Sequence, residues 1–436
     1  MTTAALDDGE HTATDIAIDG ETAPGFEPVR RAFAVTLARS GGAGAALALY
    51  HHGRKVVDLW GGAADPGETG AEPGQAGAHP GRTGADRAAR PWEIDTLQLV
   101  RSATKGVLAA SAALLVQRRR IALDEPVATY WPEFAAAGKA ALTVRQALAH
   151  QGGLPALDHP LTPEQVYAWH PAAEAVARQA PAWEPGTAHG YHPQTYGWLI
   201  GELIRRVDGR TPGAFLAEEI AGPLDLDFWI GLPEEHEDRV GRLTEIALAE
   251  AGAGAGSTAP AAAAAGPRLR PKRAIADAYA DPDSLTRRSF AVVTPGYDEN
   301  SRAHRAAEQP AANGVTDARS LARFYAAVSG QLDGAGGAAL LDPSVLAEFT
   351  TEHAAGPDRV LIAPTRFGLG WMLGGPAEPM TGPAAFGHPG RGGSLGFADP
   401  ERGIAFGYVT GGLLRSTTGD PRARALARAV RESLQG

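Results

Sequence analysis

Val100-Arg101-Ser102-Ala103-Thr104-Lys105-Gly106 sets one hydroxyl and one primary amine three residues apart. On a helix such residues share a face, with β-carbons roughly 5–6 Å apart. A serine hydroxyl needs a partner to become a nucleophile. An amine can serve as its base once burial or nearby positive charge draws the pKa from about 10.4 toward neutrality. The run from Val107 to Val116 is apolar, without Gly or Pro, and predicts a helix buried nearly all round that desolvates its own first turn. The chain has 13 Ser, 36 Arg and only four Lys (Lys55, Lys105, Lys139 and Lys272). Independent placement would give on the order of 0.1 Ser-x-x-Lys pairs. Arginine could not replace this lysine as a base because it stays protonated. Taken alone, the pattern also fits a helix-capping serine followed by a solvated lysine.

Composition narrows the function. With 436 residues, 44% of them hydrophobic, the chain can bury a large core as one composite fold or two to three domains. A net charge of −10 argues against nucleic acid or an anionic membrane as main partner. The basic triplet Arg118-Arg119-Arg120 reads as a helix C-terminus. The absence of cysteine excludes disulfides, thiolate metal sites and a cysteine nucleophile. No metal or cofactor is expected, and the oligomeric state is left open. Residues 1–27 are polar and acidic without a basic or apolar leader segment, so a cytoplasmic protein is expected. No apolar run is long enough to span a bilayer.

Along the chain, residues 1–25 read as a disordered lead-in, followed by an amphipathic helix from Phe26 to near Gly41. Ala45–Tyr50 and Lys55–Trp60 have hairpin spacing. Residues 62–92 form a low-complexity insertion, and 250–267 a second one. Between them, helices are predicted over Leu142–Ala149, Pro163–Arg178 and the stretch after Pro193 that ends at Asp208-Gly209. In that last helix Tyr196, Leu199, Ile200, Leu203, Ile204 and Val207 repeat at helical spacing. His150 and Tyr191 then fall in loops, where packing roles are the ordinary reading. Asp317 caps a further helix. Strands follow over Arg366–Leu373, Ala385–His388, Gly393–Phe397 and Ile404–Val409, before a final helix from Asp420-Pro421. The order predicts a discontinuous α/β (α+β) domain, 26–95 with 300–436, and an inserted mainly helical domain, 96–299.

Three segments now fall into a known order. Ser102-Ala103-Thr104-Lys105, Tyr191-His192-Pro193 and His388-Pro389-Gly390 resemble the three active-site motifs of the serine β-lactamase and penicillin-binding-protein superfamily, in the spacing of its class C branch. Gly190–Trp198 and Gly393–Pro400 look most like the family VIII carboxylesterases. The resemblance covers roughly residues 26–434 apart from the two insertions. It implies an antiparallel sheet flanked by helices, and acyl transfer to Ser102 with Lys105 and Tyr191 handling the proton. It also implies His388 and Gly390 on the substrate side, and an oxyanion held by the backbone N–H groups of Ser102 and Arg391. The substrate implied is a small ester. Two departures from the lactamase pattern point toward neutral esters. Pro193 stands where motif two usually has Asn, and His388 where motif three usually has Lys. Gly392-Gly393-Ser394-Leu395-Gly396 matches the Gly-x-Ser-x-Gly elbow of α/β-hydrolases. That fold requires a histidine after the serine, and none follows His388, so Ser394 is read as a decoy. A non-catalytic binding member of the superfamily, a β-lactamase or amidase, and an acyltransferase are the alternatives.

Overall fold

A computed structural model describes residues 16–67, 89–247, 272–332 and 339–435. The expected loosely ordered segments fall largely outside these residues: 1–15, 68–88 and all of 250–267.

Nine strands form one antiparallel sheet: β1 (Ile18–Thr22), β2 (Ala45–His51), β3 (Arg54–Gly61), β4 (Ala354–Pro357), β5 (Pro364–Phe367), β6 (Met372–Leu373), β7 (Phe386–Pro389), β8 (Leu395–Asp399) and β9 (Ile404–Thr410). Their spatial order is β1-β3-β2-β9-β8-β7-β6-β5-β4, so both ends of the chain meet at β2 and β9. Both sheet faces are covered, and the strand residues divide between them by the two-residue period. Leu47, Leu49, Phe406 and Tyr408 pack in one core with α1 (Glu27–Arg39) and the C-terminal α5 (Pro421–Ser433). Ala46, Ala48 and Ala405 face the other core, which contains α4 (Ala318–Val328). That face is lined with small residues for a steric reason. A Cβ on Gly407 would lie 2.3 Å from the Ala318 carbonyl, and one on Gly396 2.6 Å from the Tyr325 ring, so the helix lies directly on the backbone.

The same core continues into α2 (Lys105–Gln117), whose residues Lys105 to Leu115 are all buried, and α3 (Thr195–Asp208). The described residues of 96–299 contribute helices and no strand of the large sheet. A small three-stranded sheet of Gln98–Leu99, Val315–Thr316 and Phe228–Trp229 anchors the segment that enters Ser102.

Three sequence expectations need correction. Within the lead-in, Ile18–Thr22 is the edge strand β1, paired along Val57–Gly61; its alternating exposed pattern is that of an edge strand, which polar composition disguised. The helix expected over Pro163–Arg178 is two, Pro163–Tyr167 and His170–Arg178, with Trp169 left-handed at φ 64°. Pro171 lacks an N–H and its ring would clash with the carbonyl four residues back, so the helix restarts there. The strand expected over Arg366–Leu373 is the hairpin β5–β6, because Gly370 adopts φ 88° and lets Phe367 pair with Met372.

Candidate active site

Ser102 sits in a 3-10 turn, Arg101–Thr104, that runs directly into α2. Lys105 is the first residue of that helix and is fully buried, with Nζ 3.2 Å from Ser102 Oγ. The amine also donates to the carbonyls of Pro193, at 2.7 Å, and Ala311, at 2.9 Å. A neutral amine has two N–H bonds and one lone pair. With both N–H bonds committed to those carbonyls, the lone pair is left for the serine. Burial drives the Lys105 pKa well below its ordinary value, because nothing anionic compensates the charged form. Gly106 is required next to it, since a Cβ there would lie 2.3 Å from Tyr325 Oη.

Tyr191 enters from the loop before α3. Its ring lies 4.9 Å from Lys105 Nζ, and its hydroxyl is close enough to the Ser102 side chain to be acted on by it. Burial raises the phenol's pKa, and the Ser102 contact only partly offsets this. Serine, amine and phenol, 89 residues apart at their extremes, thus meet at one point. His192 and His150 support them. His192 Nδ1 donates to the Gly190 carbonyl at 2.6 Å and its Nε2 accepts from Leu154 N–H at 2.9 Å, so the ring is neutral with its tautomer fixed. Burial pushes its pKa down to about 3. The His150 ring packs 5.3 Å from that of Tyr191 and 4.6 Å from that of Tyr196, and its Nδ1 accepts from the His192 N–H at 3.3 Å.

His388 closes β7, its ring 5.7 Å from that of Tyr191. It is buried and is not among the residues lining the cavity that opens on Ser102. Burial and then the nearby amine lower its pKa to about 3, which leaves no cation where motif three usually carries one. Gly390 is also not in that wall. A Cβ there would meet the Val100 carbonyl at 2.2 Å, and its own N–H is used by the Ser394 carbonyl at 2.7 Å. What Gly390 does is let the strand end press against the serine's turn. Arg391 does line the cavity, together with Ser102, Arg101, Gln194, Phe290 and Tyr297 among others; its volume is about 200 Å³. Among the described residues, neither the Ser102 nor the Arg391 backbone N–H has a hydrogen-bond partner in the protein. Ser394 is followed by β8 rather than a helix, so no nucleophile elbow exists there.

Sequence reading missed Asp358. Its buried carboxylate accepts from the backbone N–H of Tyr191 (3.1 Å to each oxygen), Val360 and Leu361 (both 2.8 Å) and from Thr365 Oγ1 (3.1 Å). His189 Nε2 is bound to the same threonine at 2.9 Å. One acidic side chain therefore pins the tyrosine loop to the start of β5 from 167 residues away. The only local signal is a Gly-Pro-Asp turn. Asp358→Asn would turn N–H groups toward backbone N–H groups. It is expected to lower kcat/KM by roughly 10- to 100-fold while Ser102 still reacts with a phosphonate. Unchanged kinetics in a folded variant would reduce Asp358 to a packing residue.

A sequence profile described as Beta-lactamase matches residues 29–431. Esterase/beta-lactamase LipL of Mycobacterium tuberculosis (strain ATCC 25618 / H37Rv) is 34% identical over 400 residues, 91% of this chain and 83% of that protein. The crystal structure of a family VIII carboxylesterase superposes with a TM-score of 0.75 at 34% identity, covering 96% of this chain and 100% of the other. A penicillin-binding protein homolog from Caulobacter crescentus gives 0.75 at 36% identity with the same coverage. Motif order, sheet topology and these likenesses agree, and the chain belongs to the β-lactamase family.

Proposed function

We propose that the protein is a serine carboxylesterase that cleaves small esters through an acyl-enzyme on Ser102. The observation that carries this is the fully buried Lys105 amine 3.2 Å from Ser102 Oγ, with its other hydrogen bonds taken by two carbonyls. Likeness to an esterase/β-lactamase and to a family VIII carboxylesterase supports the same chemistry.

Lys105 is the base in this reading and Tyr191 the proton carrier, because burial acts on them in opposite directions. It favours the neutral amine, which can accept a proton, and the neutral phenol, which can give one. Ser102 Oγ attacks the ester carbonyl as its proton passes to Lys105 Nζ. The oxyanion is held by the N–H groups of Ser102 and Arg391, near the positive end of α2. The C–O bond then breaks, and the alcohol leaves with the proton that Lys105 holds, relayed through the Tyr191 hydroxyl. Water repeats the sequence on the acyl-enzyme and releases the acid. A cavity of about 200 Å³ favours a short acyl chain.

Two features turn the site away from β-lactams. Pro193 offers no side-chain amide and commits its carbonyl to Lys105, and neutral His388 offers no charge to a substrate carboxylate. Short-chain p-nitrophenyl esters are expected to turn over well and cephalosporins weakly or not at all. Strong cephalosporinase activity with negligible esterase activity would reverse the assignment. A cytoplasmic location remains part of the proposal. Among the described residues no helix is long and apolar enough to cross a membrane.

A further inference from the structure

The turn after β7 has three consecutive carbonyls fixed. Gly390 O accepts from Gly393 N–H at 3.1 Å, closing the turn itself. The next two are held from outside it by different guanidinium groups. Arg101 Nη1 donates to Arg391 O at 3.1 Å, and Arg422 Nη2 donates to Gly392 O at 2.6 Å. Each guanidinium is itself held by a carboxylate. Glu299 accepts from Arg101 Nε at 2.9 Å and also from Nη2. Asp420 accepts from Arg422 Nε and Nη2, both at 3.0 Å. Arg422 Nη1 reaches Gly412 O at 2.8 Å, and Gly392 N–H donates to Ser416 O at 2.9 Å, while Ser416 Oγ is bound to Asp420 at 3.0 Å.

Stability alone is a poor reason for this arrangement. Arg422 and Asp420 are 3% and 5% exposed, and desolvating such a pair offsets much of its attraction; well-packed apolar residues often serve a fold as well. Arg101 stands immediately before the nucleophile in the left-handed region, at φ 48°, where a non-glycine residue is strained. Its side chain is held at Glu299 and at Arg391 O, so the residue that carries the strain also ties the serine's turn to the neighbouring turn. A Cβ on Gly393 would lie 2.3 Å from Arg422 Nη2, so the turn is seated on the second guanidinium.

We propose that Arg101–Glu299 and Arg422–Asp420 are positioning pairs that lock the direction of the Arg391 N–H relative to Ser102. They act on the rate of acyl transfer and little on substrate binding. The inference rests on the reading above, in which that N–H receives the developing oxyanion. A donor placed in advance stabilises a transition state without reorganising, and one that wanders by about 1 Å can lose on the order of 100-fold.

The test uses Arg101→Met, Glu299→Gln, Arg422→Met and Arg101→Lys in the full chain, assayed with a short p-nitrophenyl ester. Inhibition by a phenylboronic acid, which forms a tetrahedral anion on serine, is measured alongside. The first three are expected to lower kcat by about 10- to 100-fold with little change in KM, and to weaken the boronate in proportion. Arg101→Lys, which keeps a donor, is expected to recover part of the loss. If Arg422→Met does not fold, the Arg101 and Glu299 variants decide, since those side chains are only partly buried, at 19% and 27% exposure. Folded Arg101→Met and Glu299→Gln with kcat and boronate affinity within about twofold of the parent would overturn the proposal. Failure of a fluorophosphonate to label Ser102 in the parent chain would instead remove the acyl-transfer reading, and the inference with it.

Discussion

Ser102→Ala is expected to lower kcat for a short p-nitrophenyl ester by at least about 10⁴-fold, because it deletes the atom that forms the acyl-enzyme and leaves only binding and the oxyanion donors. Intact-mass analysis after a fluorophosphonate should show one adduct on the parent chain, mapped to the peptide containing Ser102, and none on the variant. The substitution removes a single oxygen from a turn whose backbone is fixed elsewhere, so the fold should survive. Ser394→Ala is the control. Ser394 lies on the far side of the Gly390 turn with a strand after it, and most activity and labelling should remain. An adduct on Ser394, or activity lost there and kept in Ser102→Ala, would move the active site.

Lys105→Met has the next largest expected effect, a loss of about 10²–10⁴-fold in kcat/KM from removal of the general base. Its pH dependence is diagnostic. The working form is the neutral amine, so kcat/KM of the parent rises with pH as Lys105 loses its proton. The midpoint lies well below 10.5 because burial penalises the cation. The variant should lose that rising limb. If the limb persists, Lys105 is not the base and the task passes to Tyr191. Stability moves in the same sense. Between the lowered folded pKa and the unfolded value near 10.4, the unfolded chain binds more protons, so the native state gains stability as pH rises through this window. Against that, the methionine leaves the Pro193 and Ala311 carbonyls without a donor, at about 1–3 kcal/mol for each buried group. A thermal melt across pH should therefore show a destabilised variant with a weaker pH slope.

How much of this was legible in the chain follows from how local each cause is. The helix after Lys105 could be read because an unbroken apolar run with neither Gly nor Pro has few other solutions. The central strands β2, β3, β8 and β9 could be read because short apolar runs, each with an aromatic residue, are bounded by turn residues. The edge strand β1 was not, since it makes few apolar contacts and half of its side chains face water. The double helix around Trp169 was missed although its cause, Pro171, is local. The roles of His192 and His388 were undecided by residue type. An imidazole can be base, ligand or packing, and only burial and the partners of its two nitrogens separate these.

Local pattern is enough to specify a serine and a lysine one helical turn apart on a buried helix, a tyrosine just ahead of another helix, and a third motif at a strand end. These depend on neighbours along the chain and on motif spacing. Long-range packing supplies the rest: Lys105 meets two carbonyls from distant segments, Asp358 pins the tyrosine loop, His388 is held neutral by burial, and two arginine–carboxylate pairs grip the turn beside Ser102. Each of those is a contact between residues far apart in sequence, and its strength is set by burial, which no local pattern of residues encodes.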